Sequence, residues 1–285
     1  MSHLHLLKGH GTGNDFVILV DDEGRHDLSD DFVSALCDRN FGIGGDGLLR
    51  VVRTRFAAEA EIRELSDRAE WFMDYRNRDG SAAEMCGNGA RVFGHFLHTT
   101  GRVGGDRFLI ATRAGLKWIE KREQNLYGVE MGRAEISESE VSVTHGETKS
   151  ATAVSMPNPH AVVMVDDLNS LPDFVQSPIW EPAAVFPEGV NVEYVQKLSP
   201  NNYRMRVFER GVGETLSCGT GACAVAAVAQ KTAALELPCA VSVEVPGGEL
   251  SVEIDIAGEL TLVGPAELIA EFKLESEWLS HRGKI

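Results

Sequence analysis

The sequence carries the same short motif twice, once in each half of the chain. Cys86–Gly89 reads Cys-Gly-Asn-Gly and Cys218–Gly221 reads Cys-Gly-Thr-Gly, and a run of helix-forming residues follows each at once. A cysteine in this position lies where an α-helix begins, and the unpaired N–H groups and the dipole of the helix favour a thiolate there. The repeat therefore predicts a fold that is built twice, with a reactive cysteine at the start of a helix in each half.

The order of the neighbouring segments repeats as well. Residues 156–166 mirror residues 11–21, because in both an asparagine-containing turn leads into an apolar strand that ends in Asp. Asn158 follows Asn14 by 144 residues, whereas the two motif cysteines are 132 residues apart. The 12-residue difference fits a highly charged insert around residues 55–68, which is typical of a surface loop or a short solvated helix.

Hydrophobic periodicity predicts many strands and few helices. The first half opens with two strands around a glycine-rich turn at Gly9–Gly13, and helical spacing follows over Asp30–Arg39. In the second half the very Ala-rich segment Ala222–Ala234 follows the cysteine motif as a helix. We expect two α/β lobes of similar fold, each wrapping strands around one central helix, joined near Gly128.

Composition excludes several classes of function. The 43 acidic residues exceed the 27 basic ones, for a formal net charge of −16, and no basic patch that would attract a nucleic acid is visible. No stretch approaches the roughly 20 apolar residues of a membrane span. Residues 1–5 lack the charged and apolar regions of a secretory signal. The sequence predicts a cytoplasmic protein with neither a nucleic-acid nor a membrane partner.

The cysteine pattern argues against disulfides and against a metal site. Five cysteines, an odd number, in a chain without a secretory signal do not suit a disulfide framework. No CxxC pair occurs, so a zinc site is not expected. Cys37, Cys223 and Cys239 lie among apolar or helical neighbours and are predicted to be small buried core residues.

Two helix-start cysteines that face each other across a cleft have a particular chemical use. Inversion of a carbon centre needs a base that removes a proton from one face and an acid that supplies one to the other. A thiolate and a thiol of similar pKa can do this in either direction without a cofactor, provided that the site stabilises the developing carbanion. Two helix N-termini that converge on a substrate carboxylate would supply the N–H donors. The sequence thus favours exchange of an α-proton.

The chain resembles the diaminopimelate epimerases, and the order and spacing of the matching blocks make the resemblance specific. Proline racemases and phenazine-type isomerases, which are related in fold, do not carry the full set. The blocks are Gly11–Phe16, Arg39–Asp46, Asn77–Ser81, Met85–Arg91, Pro157–His160, Val190–Val192, Glu209–Thr215, Cys218–Ala222 and Gly264–Ala266.

The resemblance implies a pyridoxal-independent isomerase, without cofactor or metal, that interconverts LL- and meso-2,6-diaminopimelate for lysine and peptidoglycan precursor biosynthesis. It also implies a homodimer. The expected fold is α/β (α+β), with two pseudo-symmetric lobes, each a strongly curved and mostly antiparallel sheet or barrel around a central helix, and the active site in the interdomain cleft. The expected lobes are residues 1–127 plus 268–285, which carry the first cysteine, and residues 128–267, which carry the second.

Roles for individual residues follow from the same resemblance. Cys86 and Cys218 look like the catalytic acid–base pair, and Glu209 is expected to accept a hydrogen bond from the reacting ammonium. His160 either tunes a nearby thiol or braces the Asn158 turn. The residues expected to bind substrate, with the helix-start pairs holding the reacting carboxylate, are Asn14, Asn77, Gly87, Asn88, Asn158, Asn191, Glu209, Arg210, Gly219 and Thr220.

One position departs from the family pattern. Many members carry Gln where this chain has Gly47. Glycine cannot make that side-chain contact, so water or another residue must replace it.

Two other functions fit parts of the sequence. A racemase or dehydratase of the proline racemase type would also use paired cysteines, but proline lacks the second zwitterionic end that the asparagines and Arg210 suit. A non-catalytic, redox-sensing protein that binds a small molecule through the cysteine pair would bind its ligand without exchanging a proton.

Overall fold

The computed structural model describes residues 4–174 and 176–282, and the chain divides into two compact units. The first unit runs to Val129 and takes up the chain again from Pro265. The second unit comprises Glu130–Gly264.

Strands dominate the described residues, and helices are few. The strands in chain order are β1 (His5–Gly11), β2 (Asn14–Val20), β3 (Gly47–Arg53), β4 (Trp71–Asn77), β5 (Arg107–Thr112), β6 (Gly115–Lys121), β7 (Leu126–Gly132), β8 (Glu135–His145), β9 (Glu147–Ser155), β10 (Pro159–Val165), β11 (Ile179–Glu181), β12 (Asn191–Ser199), β13 (Asn202–Glu209), β14 (Gly213–Thr215), β15 (Cys239–Val245), β16 (Gly248–Ile254), β17 (Leu260–Pro265) and β18 (Glu267–Phe272). The helices are α1 (Asp30–Cys37), α2 (Ala60–Arg63), α3 (Gly87–Thr99), α4 (Gly219–Thr232) and α5 (Ser276–Arg282). The predicted fold class, a mixed α+β protein built mainly of sheet, is confirmed.

Within the first unit the strands follow the order β18–β1–β2–β3–β4–β5–β6–β7. The pair β2 and β3 and the pair β4 and β5 are parallel, and the other pairs are antiparallel. Within the second unit the order is β8–β9–β10–β12–β13–β15–β16–β17, with parallel pairing between β10 and β12 and between β13 and β15. Both units therefore show the same succession of antiparallel and parallel pairs.

One helix packs against many strands in each unit. Helix α3 contacts β1, β2, β3, β4, β6 and β18, and its residues from Gly87 to Leu97 are all buried. Helix α4 contacts β9, β10, β12, β15 and β16 and is built largely of alanine and other small residues. A helix surrounded on all sides has no solvent face, so small and apolar residues suit its whole circumference. The start of each helix is thereby held in the interior of its own unit.

The turn between β1 and β2 is shorter than predicted. Strand β1 continues to Gly11, which pairs with Asn14, so that only Thr12 and Gly13 form the turn. A Cβ at Gly9 would lie 2.8 Å from a backbone oxygen of β18, and one at Gly11 would lie 2.9 Å from the Arg91 guanidinium of α3. These glycines serve close packing inside the unit, and the turn itself uses the positive φ of Gly13 (81°).

In the part of the chain that the structure describes, every helix is too short or too polar to span a membrane.

Candidate active site

In the first unit, Cys86 caps the N-terminus of α3. Its backbone is extended (φ −137°, ψ 120°), and its Sγ atom accepts a hydrogen bond of 3.3 Å from the backbone nitrogen of Gly89. Unpaired N–H groups at a helix start stabilise negative charge. The helix start can therefore stabilise a thiolate, whereas the protonated thiol can donate a hydrogen bond to the Oδ1 atom of Asn14.

Asn14, at the start of β2, joins this helix start to a carboxylate. Its Oδ1 atom lies 3.6 Å from Sγ of Cys86 and accepts a hydrogen bond of 3.3 Å from Nδ2 of Asn88. Its Nδ2 atom donates to Oδ2 of Asp46 at 2.8 Å. The carboxylate fixes which end of the Asn14 amide faces the cysteine. The structure thus brings together Asn14, Cys86 and Asn88, and Gly87 begins the helix beside them.

Asp46 belongs to a compact charged cluster with Asp15, Arg39 and Lys8. The guanidinium of Arg39 donates to both oxygens of Asp15 at 3.0 and 2.7 Å and to Asp46 at 2.7 Å. The ammonium of Lys8 lies 2.7 Å from Asp15. Burial by itself would raise the pKa of Asp15, but the hydrogen bonds from Arg39 and Lys8 outweigh it and hold that pKa well below its usual value.

Asn77 lies at the end of β4, opposite Gly47 of β3. Its Nδ2 atom donates a hydrogen bond of 3.0 Å to Oγ of Ser81. A Cβ atom built on Gly47 would lie 2.5 Å from the carbonyl oxygen of Arg76 and 2.8 Å from the ring of Tyr75. This chain therefore has no room for a side chain at position 47, where its sequence departs from the expected pattern.

In the second unit, Cys218 precedes the first residue of α4. Its backbone is extended (φ −119°, ψ 114°), it is 4% exposed, and its Sγ atom lies 3.5 Å from Oγ1 of Thr220. Burial raises the pKa of the Cys218 thiol well above its usual value, and the negative charge of Glu209 raises it further. At neutral pH this residue is a thiol.

His160 stands between two polar side chains of the same unit. Its Nδ1 atom lies 2.7 Å from Oε1 of Glu193, and its Nε2 atom lies 3.0 Å from Oδ1 of Asn158. Both His160 and Glu193 are fully buried. Of the two interpretations left open by the sequence, a contact that braces Asn158 is the one that the hydrogen bonds support directly.

The remaining predicted residues of this unit surround the turn after β13. Oδ1 of Asn191 accepts a hydrogen bond of 2.9 Å from the backbone nitrogen of Arg210, and Nδ2 of Asn191 donates to the carbonyl of Pro159 at 3.4 Å. The Arg210 guanidinium donates to the carbonyl of Glu188 at 3.0 Å. Glu209 accepts a hydrogen bond from the Thr215 hydroxyl. Asn191 thus ties the loop to β10, and Gly219 and Thr220 begin α4.

The other cysteines differ from the motif pair. Cys37 and Cys223 are buried as predicted, and burial raises the pKa of Cys37 to about 12. Cys239 is half-buried, so the prediction of a core position was wrong for this residue. It is the first residue of β15, whose buried positions begin at Val241. Within residues 4–174 and 176–282, no cluster of three or more His, Cys, Asp or Glu side chains could hold a metal ion.

Two residues that hydrogen-bond to the predicted site residues Asn14 and His160 were not singled out from the sequence. Asp46 was noted only as part of a matching block, and Glu193 was not noted. The local sequence carried no signal for Glu193, because Asn191 and Glu193 alternate with apolar residues, a pattern typical of a strand whose polar side chains face solvent.

Comparison with solved structures defines the class of fold. The structure superposes on a phenazine biosynthesis protein of the PhzF family from Bacillus anthracis with a TM-score of 0.69 at 15% identity, covering 96% of this chain and 100% of that one. A hydroxyproline epimerase from Agrobacterium vitis matches with a TM-score of 0.66 at 13% identity, covering 95% and 92%. The chain therefore has the mixed α+β fold that these phenazine-type and epimerase-type proteins share.

Sequence comparison then identifies the family. The family model for diaminopimelate epimerase matches residues 6–137 and 152–269. The chain is 48% identical over 284 residues to the diaminopimelate epimerase of Streptomyces coelicolor, covering 98% of both, and 44% identical over 270 residues to that of Corynebacterium glutamicum strain ATCC 13032, covering 92% and 95%. The chain belongs to the diaminopimelate epimerase family.

Proposed function

We propose that this protein interconverts LL- and meso-2,6-diaminopimelate by transferring the α-proton between two cysteines, without a pyridoxal cofactor. Its product would feed lysine and peptidoglycan precursor biosynthesis. Family membership over nearly the whole chain supports the substrate. The observation that carries the mechanism is the pair of cysteines at two equivalent helix starts, Cys86 before α3 and Cys218 before α4.

The reaction needs one group that removes the α-proton and a second that returns a proton to the opposite face of the carbon. Cys86 and Cys218 take these roles, which exchange with the hand of the substrate. The raised pKa of Cys218 leaves it protonated at neutral pH, so it is ready to supply a proton. The N–H groups of Gly87–Asn88 and Gly219–Thr220 stabilise the carboxylate as negative charge develops on the carbanion.

The orientation of the asparagine amides suits a substrate with both ammonium and carboxylate groups. Asn14 turns its oxygen toward the start of α3, because its nitrogen is held by Asp46. Asn158 has its oxygen held by His160, so its NH₂ group is the end left to donate. An amide can serve an ammonium through its oxygen and a carboxylate through its nitrogen. With Asn77, Asn191, Glu209 and Arg210, these residues form the proposed substrate-binding set.

Isotope exchange tests this proposal directly. The reduced protein is incubated with LL-diaminopimelate in deuterium oxide without added cofactor, and the α-carbon is followed by NMR. We expect deuterium to appear at the α-carbon together with the meso isomer. Absence of exchange in the reduced wild-type protein would contradict the proposal, and a panel containing proline and hydroxyproline distinguishes the proline racemase type. A ligand that binds without exchange would indicate the non-catalytic alternative.

We also propose that the protein works as a homodimer in the cytoplasm, as the family resemblance implies. Sedimentation equilibrium of the purified chain measures the oligomeric state, and a monomer across the micromolar range would contradict this proposal.

A further inference from the structure

The second unit has a buried polar pair where the first unit has an apolar one. The 144-residue offset that relates the two turn asparagines also relates Phe16 to His160 and Leu49 to Glu193. All four side chains are fully buried. Burial of a carboxyl group in place of leucine costs free energy, and hydrogen bonds or loss of the charge reduce that cost. Its presence at this position of a duplicated fold therefore indicates a role that leucine cannot fill.

Strand register supports this correspondence. In the first unit, β2 and β3 run in parallel with Ile18 opposite Leu49. In the second unit, β10 and β12 run in parallel with Val162 opposite Glu193. Ile18 and Val162 are themselves 144 residues apart. Leucine and glutamate therefore occupy the same place in the two sheets.

Both pairs also lie against the first turn of the central helix. A Cβ built at Gly89 would lie 3.2 Å from Leu49 and 3.4 Å from Phe16. A Cβ built at Gly221 would lie 2.7 Å from Oε1 of Glu193. The helix that begins after Cys218 can approach the carboxyl group this closely because position 221 is glycine.

The hydrogen bonds of the polar pair define where its protons lie. Oδ1 of Asn158 is an acceptor, so the Nε2 atom of His160, 3.0 Å away, must donate. If the ring is neutral, Nδ1 is then an acceptor and the group 2.7 Å from it, Oε1 of Glu193, must be the donor. The second oxygen, Oε2, is buried and has no hydrogen-bond partner among the described residues, which disfavours a negative charge on the group. Burial raises the pKa of Glu193, although His160 opposes the shift.

We propose that Glu193 is a positioning residue. As a protonated acid it donates a hydrogen bond to Nδ1 of His160, which keeps the proton of the imidazole ring on Nε2. The Nε2–H group then donates to Oδ1 of Asn158, so that the amide NH₂ group of Asn158 is presented to a substrate carboxylate. This inference rests on the proposed function for the identity of the substrate. The arrangement of protons in the two hydrogen bonds that link Glu193, His160 and Asn158 is independent of that function. The equivalent chain cannot form in the first unit, because Phe16 and Leu49 have no polar atoms in their side chains.

NMR of protein labelled with nitrogen isotope in its histidines tests the arrangement of protons without any assay of activity. The His160 signals are assigned by their loss in His160→Phe. We expect a neutral ring with a proton on Nε2 and an unprotonated Nδ1, and the same state in Glu193→Gln, whose NH₂ group can donate in the same place. A proton on Nδ1 in the wild-type protein would overturn the proposal.

A mutant cycle tests whether Glu193 acts through Asn158. We expect Glu193→Leu to lower kcat/KM by about 100-fold, the cost of a misplaced contact to the substrate. Glu193→Gln should restore most of this loss. Combining Glu193→Leu with Asn158→Ala should reduce activity no further than Asn158→Ala does alone, because residues that act as a unit are not additive. Additive losses, or equal losses in the Leu and Gln variants, would overturn the proposal.

If Glu193→Leu does not fold, a second variant based on the first unit can replace it in the test. The double variant His160→Phe with Glu193→Leu copies an apolar pair that already packs at the equivalent place. It should show a native circular dichroism spectrum and melt cooperatively, yet lose about 100-fold in kcat/KM. Near wild-type activity in this folded double variant would overturn the proposal. Absence of exchange in the wild-type protein, by contrast, would count against the proposed function and leave the NMR test to decide the proton arrangement.

Discussion

The Nδ2 atom of Asn14 donates a 2.8 Å hydrogen bond to Oδ2 of Asp46, and the Oδ1 atom of the same amide lies 3.6 Å from Sγ of Cys86. One carboxylate thus decides which end of the amide the thiol meets. Asp46 is in turn held by Arg39 at 2.7 Å. Asp46 therefore controls the orientation of Asn14, the polar side chain next to the Cys86 thiol, through its hydrogen bond to the amide nitrogen of Asn14.

Replacing Asp46 with alanine should reduce activity without unfolding the protein. The Asn14 amide loses the acceptor that orients it, and we expect kcat/KM to fall by about 10- to 100-fold, because small displacements of positioning groups are costly. Steady-state kinetics measure the effect. Glu23→Ala is the control, since Glu23 only forms an exposed ion pair with Arg25. Equal activity in Asp46→Ala and wild type would show that Asn14 needs no such support.

Each motif cysteine should be indispensable. We expect Cys86→Ala and Cys218→Ala to abolish epimerisation, and the serine variants to be severely impaired because a hydroxyl is far less acidic than a thiol. General acid–base groups contribute roughly 10²- to 10⁴-fold each. The assay is conversion of LL- to meso-diaminopimelate, and Cys239→Ala, at the half-buried cysteine of β15, should stay active. Full activity in either motif alanine variant would remove that cysteine from the mechanism.

Glu209 should influence the ionisation of Cys218. The negative charge of Glu209 disfavours the thiolate and is a contributor, after burial, to the raised pKa of Cys218. Glu209→Gln removes that charge, so the thiolate should form at lower pH. The pH dependence of iodoacetamide labelling of Cys218, followed by mass spectrometry, measures the shift.

The control for this experiment is Glu244→Gln, because Glu244 lies in an ion pair with Arg204 on β13. An unchanged labelling curve in Glu209→Gln would exclude the electrostatic role. The raised thiol pKa also has a consequence for folding. Stability that comes from burying the neutral thiol is complete below the thiol pKa of the unfolded chain and is lost as the pH rises towards the higher pKa of the folded state.

Gly47 should be required for packing. A Cβ atom there would lie 2.5 Å from the Arg76 carbonyl oxygen, so Gly47→Ala should destabilise the protein by about 1–3 kcal/mol, the typical cost of overpacking. Urea unfolding measures the free energy. Gly104→Ala is a matched control, because no atom lies within 4 Å of a Cβ at that position. A similar free energy of unfolding in both variants would contradict the steric argument.

Sequence patterns predicted the elements that depend on neighbouring residues. Both cysteine motifs begin helices, and α1 starts after Ser29, whose hydroxyl accepts a hydrogen bond from the backbone nitrogen of Phe32. Capping residues and glycine pairs act within one turn of chain, so a single segment carries the whole signal. The prediction that all of Gly9–Gly13 forms a turn was wrong, because Gly9 and Gly11 belong to strand β1. These two glycines allow close packing against β18 and α3, which come from distant parts of the sequence.

Local sequence patterns could not predict the side-chain pairs of the site, because the paired residues are also far apart in the sequence. Asn14 and Asp46 are 32 residues apart, and His160 and Glu193 are 33 apart. Their contacts depend on the parallel pairing of β2 with β3 and of β10 with β12, which periodicity does not specify. The internal repeat was the one long-range guide, because aligning the halves places Glu193 on Leu49.

The cluster around Asn14 has a consequence for the net charge near the first helix start. Lys8 and Arg39 contribute two formal positive charges and Asp15 and Asp46 two negative ones, within a single hydrogen-bonded group. The four charges cancel, although the whole chain carries a net charge of −16. This hydrogen-bonded group therefore adds no net negative charge beside Asn14, so the acidic excess of the protein comes from other residues.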